Sequence, residues 1–210
     1  MTVLRSLTCA LVLCAGAGAA QDVSPKFQIA GDTLIYDTVN VPDALADIEV
    51  EDVDPLLNLL SANPQITMLE LNSGGGSVWA SQKISDIVID FGLDTRVNGD
   101  CDSSCVTIFL AGQNRSMTRG SRMGFHQVQW SSDNIQDYYE READEFGWDS
   151  PWDFAEWMYL DTQQEVYLAL AYMVARGVDP GFAIQSVRKP DGNMWRPHRT
   201  VLRAAGVLTE

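Results

Sequence analysis

Between residues 55 and 126 the apolar positions switch repeatedly between two periods. Leu56-Leu57-Asn58-Leu59-Leu60 follows Asp54-Pro55, which supplies an N-cap and a proline at the first helical position, and Asn63-Pro64 ends that helix. Ile66-Thr67-Met68-Leu69-Glu70-Leu71 reads as a strand and runs into a glycine turn, Asn72-Ser73-Gly74-Gly75-Gly76. Val78, Ile84, Ile87, Val88 and Phe91 then recur at helical spacing, with Gly92 as the stop. Asp94-Thr95-Arg96-Val97 is a short strand. Ser103 to Ala111 is an apolar helix ended by Gly112, and Arg122-Met123-Gly124-Phe125-His126 is another strand. Helix and strand alternating in this way predict βαβ units, an α/β fold and a largely parallel sheet with its sites at strand ends.

The flanks read differently. Phe27-Gln28-Ile29-Ala30 and Leu34-Ile35-Tyr36 enclose Gly31-Asp32, a hairpin signal. After Gln127, Trp130, Trp148, Trp152 and Trp157 fall among Asp, Glu and Tyr, and residues 147–157 read as an irregular aromatic segment lying over the core or a partner. A strong helix is expected from Thr162 to Arg176, a shorter one from Asp179-Pro180 through Val187, and a last helical turn from Val201 to Val207. No internal repeat is visible. The division expected is residues 1–20 as a leader and 21–210 as one domain carrying a Trp-rich insertion near 130–157.

The leader rests on its own pattern. Arg5 gives a short positive region, Leu7 to Cys14 an apolar core, and Ala15 to Ala20 the small residues a signal peptidase accepts. Cleavage after Ala20 or Ala19 is expected, giving a periplasmic or secreted protein. Cys9 and Cys14 leave with the leader, and neither follows the small residue that a lipid anchor requires. No later run reaches the roughly 18 apolar residues of a membrane span.

Composition changes the picture mainly by exclusion. The 210 residues are 46% hydrophobic and carry a net charge of −15, which becomes −16 without Arg5. Such acidity argues against nucleic acid and anionic membranes as partners, since both select basic patches. Four good zinc ligands are not in view, so no metal is expected, and no cofactor either.

Candidate chemistry centres on residues 101–126. Ser103 and Ser104 stand where a polar turn enters the apolar helix, a place where backbone N–H groups lack helical partners. A serine hydroxyl becomes a nucleophile when a base takes its proton and N–H donors hold the oxyanion. His126 ends the next strand; the only other histidine, His198, sits in a surface turn. Gly74-Gly75-Gly76 brings backbone close to a ligand. Each feature has a plainer reading as an N-cap, a structural histidine or a flexible turn. Cys101 and Cys105 bracket the serines. In an oxidising compartment they form a disulfide that pins the turn, or they are two small buried residues.

Three blocks carry a family resemblance. Asn72-Ser73-Gly74-Gly75-Gly76 resembles the Asn-Ser-Pro-Gly-Gly turn of the Clp protease proteolytic subunit. Ser103-Ser104-Cys105-Val106-Thr107-Ile108-Phe109-Leu110-Ala111-Gly112 resembles its Ser-Met-Gly run leading to Ala-Gly, and Met123-Gly124-Phe125-His126-Gln127 its Met-Ile-His-Gln. Cys-x-Ser-Ser-Cys with Leu-Ala-Gly and Gly-Phe-His looks like the exported ClpP-like proteins of proteobacteria. Residues 66–127 carry the likeness, with an echo at Ala205-Gly206-Val207-Leu208. It implies the ClpP/crotonase spiral of ββα units and a serine peptidase acting on peptide or protein. Ser103 would be the nucleophile, with Ser104 as fallback, and His126 the base. The N–H groups of Gly75 and Ser104 would form the oxyanion hole. The acid would be Asp191 or Asn193, and spacing does not choose between them.

Other expectations of the family do not carry over. An exported chain cannot be fed by a cytoplasmic unfoldase, and the residues after His126 do not repeat the protease's handle. Homo-oligomerisation is compatible with the resemblance; ring assembly is not inherited. Two further classes compete. Crotonase-type acyl-thioester chemistry lacks a basic cluster for coenzyme A phosphates. A catalytically silent binding module would keep the fold and use the aromatic insertion for a partner.

Overall fold

The structure, a computed structural model, describes residues 24–188 and 194–210. The leader expected over residues 1–20 lies outside the described residues, as do Asp191 and Asn193.

Two strands, β1 (Phe27–Ala30) and β2 (Thr33–Asp37), form the expected antiparallel hairpin across Gly31-Asp32. A helix, α1 (Val53–Ala62), follows two short 3-10 turns and buries Leu56 and Leu60. Then come β3 (Met68–Ser73), α2 (Val78–Asp90), β4 (Asp94–Asp102), α3 (Cys105–Leu110), β5 (Arg115–Met117) and β6 (Arg122–Gly124). The sheet runs β1-β2-β3-β4-β5, with β6 also on β4, and every pairing after the hairpin is parallel. This is the mixed α/β, largely parallel arrangement that the alternating periods predict.

Strand β4 is twice as long as its apolar signal. Its first half pairs with β5 through Thr95–Val97 and its second half with β6 through Asp100–Asp102. Between the halves the register with β3 slips: Leu71 faces Val97, but Ser73 faces Cys101. The Asn72 side chain fills this bulge, accepting from the Asp100 N–H at 3.0 Å while its amide donates to Asp37 at 3.1 Å. Asn98, Gly99 and Asp100 carry no apolar residue, so the alternation that marks a strand disappears there. The bulge nevertheless carries the chain on to Asp102 and Ser103.

One core unites these elements. Leu69, Leu71 and Val97 of the sheet meet Ala80, Ile84 and Val88 of α2 and Ile108 and Phe109 of α3, all essentially buried. Each such large side chain contributes about 1.5–3 kcal/mol. At the far end of α3, two guanidinium groups occupy its last carbonyls. Arg176 donates to Leu110, Ala111 and Gly112, and buried Arg115 reaches Leu110, Gly112, Gly206 and Val207.

The aromatic segment is a correction. Residues 147–157 are not irregular: α4 (Ser132–Phe146) ends at Gly147, and α5 (Pro151–Ala175) starts eleven residues before the expected helix. The punctuation is local and strong. Ser131 and Ser150 each accept an N–H of the following turn, Gly147 closes α4 with φ of 69°, and Pro151 opens α5. Tyr138, Phe146, Trp148, Phe154 and Trp157 stack between the two helices, so aromatic side chains cover one another rather than the main core. That arrangement hid the helical period under acidic residues. Two further helices, α6 (Pro180–Ser186) and α7 (Arg199–Ala204), return Phe182 and Leu202 to the core. Among the described residues no helix is long and apolar enough to cross a membrane.

Candidate active site

The parallel strands β3, β4 and β6 end side by side, and the candidate residues leave from those ends. Cys101 of β4 pairs with Met123 of β6, and the Ser103 N–H continues the ladder to the Gly124 carbonyl at 2.9 Å. Ser103 stands between β4 and α3 with φ of 55°, the one non-glycine residue in the left-handed region among those described. Such a conformation costs of order 1–3 kcal/mol and persists where the surroundings impose it. The surroundings here are a disulfide joining Cys101 to Cys105, whose Cα atoms stand 5.3 Å apart, on either side of the serine.

His126 follows β6 and reaches back. Its Nε2 lies 2.7 Å from Ser103 Oγ. Phe125, its neighbour, exchanges two backbone hydrogen bonds with Trp195, at 2.9 and 2.8 Å. The C-terminal segment is thereby fastened beside the histidine.

The glycine turn sits against the serine. A Cβ on Gly75 would meet Ser103 Cβ at 2.8 Å, and one on Gly76 would stand 2.4 Å from the Ile48 backbone, whereas Gly74 has open space. Gly75 and Gly76 adopt φ of 106° and 143°. The Gly75 N–H is donated to Ser73 Oγ at 3.1 Å, turned from the cleft. Gly76 instead lines the cleft with Ser103 and His126, and its carbonyl accepts from buried Ser104 Oγ at 3.1 Å. Among the described residues neither the Gly76 N–H nor the Ser104 N–H has a hydrogen-bond acceptor.

Asp102, buried next to Ser103, was not singled out in the sequence. Both its oxygens are held by Arg196, at 2.7 and 2.6 Å. Burial pushes its carboxyl above the usual range, against the pull of the Arg196 fork. Sequence adjacency to the serine was the available signal; its partner lies 94 residues away and could not be read.

The cleft has a volume of about 590 Å³. Its rim combines Trp79 from α2, Val128 and Trp130 after His126, Asn134 from α4 and Glu165 from α5. The insertion near 130–157 therefore borders the cleft. The structure brings Ser103, Ser104, His126 and the glycine turn together, while the candidate acids Asp191 and Asn193 lie outside the described residues. A polarised hydroxyl, a ring nitrogen and two free N–H groups around an open cleft are equipped for acyl transfer.

Solved structures show a similar architecture. ClpP1 from Listeria monocytogenes matches at 18% identity with a TM-score of 0.52, covering 77% of this chain and 84% of that one. A point mutant of the same ClpP1 matches at 19% identity with a TM-score of 0.54, covering 85% and 89%. At this identity the likeness concerns the fold. No family model matches the sequence, and a search of curated proteins gives no match.

Proposed function

We propose that this protein is an exported serine hydrolase acting on peptide bonds through an acyl-enzyme at Ser103. The observation that carries the reading is the 2.7 Å approach of His126 Nε2 to Ser103 Oγ at the floor of an open cleft. In the proposed cycle His126 takes the hydroxyl proton as Ser103 Oγ bonds to the carbonyl carbon. The N–H groups of Ser104 and Gly76 receive the oxyanion, with Gly76 taking the part expected of Gly75, whose N–H is spent on Ser73. The proton passes to the departing amine as the C–N bond breaks. Water, deprotonated by His126, then cleaves the ester and restores the serine, so that one peptide and one water give one acid and one amine.

Asp191 or Asn193 is proposed to orient His126. Trp195, two residues beyond Asn193, pairs with the neighbour of the histidine, which supports a partner from this segment. The ClpP-like architecture supports a peptidase class, and the disulfide beside Ser103 supports an oxidising compartment.

A neutral fluorophosphonate probe tests the reading on the chain without residues 1–20. Wild type and Ser104→Ala are expected to label, and Ser103→Ala and His126→Ala to lose labelling by a factor of about 1,000 or more. Folded wild-type protein that takes no label at any pH would leave the silent binding module as the better account.

A further inference from the structure

The cleft around Ser103 is built to hold something apolar. Trp79, Trp130 and Val128 on its rim are 52%, 47% and 57% exposed, a concentration of large apolar side chains at one opening. Among the described residues that line it, Glu165 on α5 is the acidic one. Among the described residues no Lys or Arg lines this cleft, and no ion pair involves Glu165. Asp161 stands one turn before Glu165 on α5, and partial desolvation of Glu165, then the Asp161 charge, push its carboxyl upward. Among the described residues neither Glu165 nor Asp161 has an ion-pair partner. Trp79 already holds one ammonium, Lys83 Nζ at 5.7 Å from the ring centre, so an indole at this rim does accept a cation, and a peptide's cation would share or displace that place.

Aromatic faces with an unpaired carboxylate recognise a long aliphatic stem that ends in a positive charge. The stem lies on the indoles and the head meets the carboxylate. A free α-amine has no stem to cover the rings, and an acidic side chain is repelled. We propose that Glu165, with Trp79 and Trp130, makes this cleft selective for peptides carrying Lys or Arg beside the bond to be cut. The proposal rests on the hydrolase reading for its cleavage site, yet the cation preference is a binding property and is measurable alone. The net charge of −15 acts in the same direction by drawing cationic peptides toward the surface.

The decisive experiment compares peptides identical except for lysine, norleucine or glutamate at one position. Norleucine keeps the stem and removes the charge. Binding is measured by calorimetry on full-length mature Ser103→Ala, and cleavage on the wild type. Lysine is expected to bind about tenfold more tightly than norleucine, with glutamate weakest. Adding Glu165→Gln is expected to bring the lysine-to-norleucine ratio near one, and Glu165→Asp to restore part of it. Equal binding of lysine and norleucine, or a ratio that survives Glu165→Gln, overturns the proposal. Glu165 is exposed at the helix surface, and an unchanged circular dichroism spectrum and unfolding midpoint check that the Gln variant folds. Failure of labelling with the lysine preference intact would instead remove the hydrolase reading and leave the cation site standing.

Discussion

Ser103 holds a backbone conformation that only glycine adopts freely, and it does so between two bonded cysteines. Reduction of Cys101–Cys105 releases that constraint. Closing so short a loop stabilises the fold by about 2 kcal/mol, and Cys101→Ala with Cys105→Ala should cost that much in denaturant unfolding. Probe labelling of Ser103 should slow on reduction and recover on reoxidation, while Ser103→Ala stays unlabelled in both states. The glycine turn gives a second residue-level contrast. Gly74→Ala should be neutral in stability and labelling, whereas Gly76→Ala must displace the Ile48 backbone and should lose both. In the sequence these three glycines are equivalent. Their difference comes from what packs on them, namely Ser103 on Gly75 and Ile48 on Gly76, and contacts of that kind leave no local signal. The serine, the histidine and the cysteines were legible because each ends or begins an element with a clear apolar period.

At the level of elements, β4 shows where such reading stops. Its apolar half was visible, and its polar half, which delivers Asp102 and Ser103, was not. The bulge between the halves depends on Asn72, and Asn72 is braced by Asp37. Burial opposes ionisation of Asp37, yet hydrogen bonds from Asn40, Asn72 and Val39 hold its carboxyl below the ordinary range. The stability this confers is fully present above the unfolded carboxyl pKa, near 4, and is lost as pH falls through the lower folded value. Asp37→Asn should therefore flatten the acid limb of an unfolding-midpoint titration. Helix α3 is braced from its other end, where Arg176 donates to three carbonyls. Arg176→Ala should destabilise by about 2–3 kcal/mol, measured by urea unfolding, because Leu110 and Ala111 sit in a dry interior. The helical hairpin of α4 and α5 was misread for the opposite reason. The aromatic residues of α4 and of the first turns of α5 face each other, and only Leu170, Tyr172 and Met173 near the end of α5 reach the main core, so no single stripe stands out.

Across the whole molecule, two regions differ in how they are held. Near the N-terminus, Lys26 is 1% exposed and donates to Asp52, Glu49 and the Asp47 carbonyl, with Tyr36 on the same Asp52 oxygen. Burial and the Asp52 charge together keep the Tyr36 hydroxyl protonated far above its usual range. Lys26→Met would strand a buried carboxylate, and a loss of about 3–5 kcal/mol is expected in calorimetric unfolding. By contrast, α4 buries no residue, and its attachment is the aromatic stack. Hydrogen exchange should find α4 opening well before the sheet, with Trp148→Ala accelerating that opening and leaving β3 and β4 protected. The rim of the cleft would then loosen while its floor stays fixed.

The Asp102–Arg196 fork and the Phe125–Trp195 pairing join parts of the chain that are far apart in the order of synthesis. A polypeptide growing from its N-terminus contains Ser103, His126 and the glycine turn long before Arg196 exists. Until that residue emerges, Asp102 lacks its two-pronged partner and Phe125 lacks its pairing with Trp195. The serine and histidine are thus made early and seated late. A chain cut short before Arg196 would therefore carry the serine and the histidine without the fork that seats them.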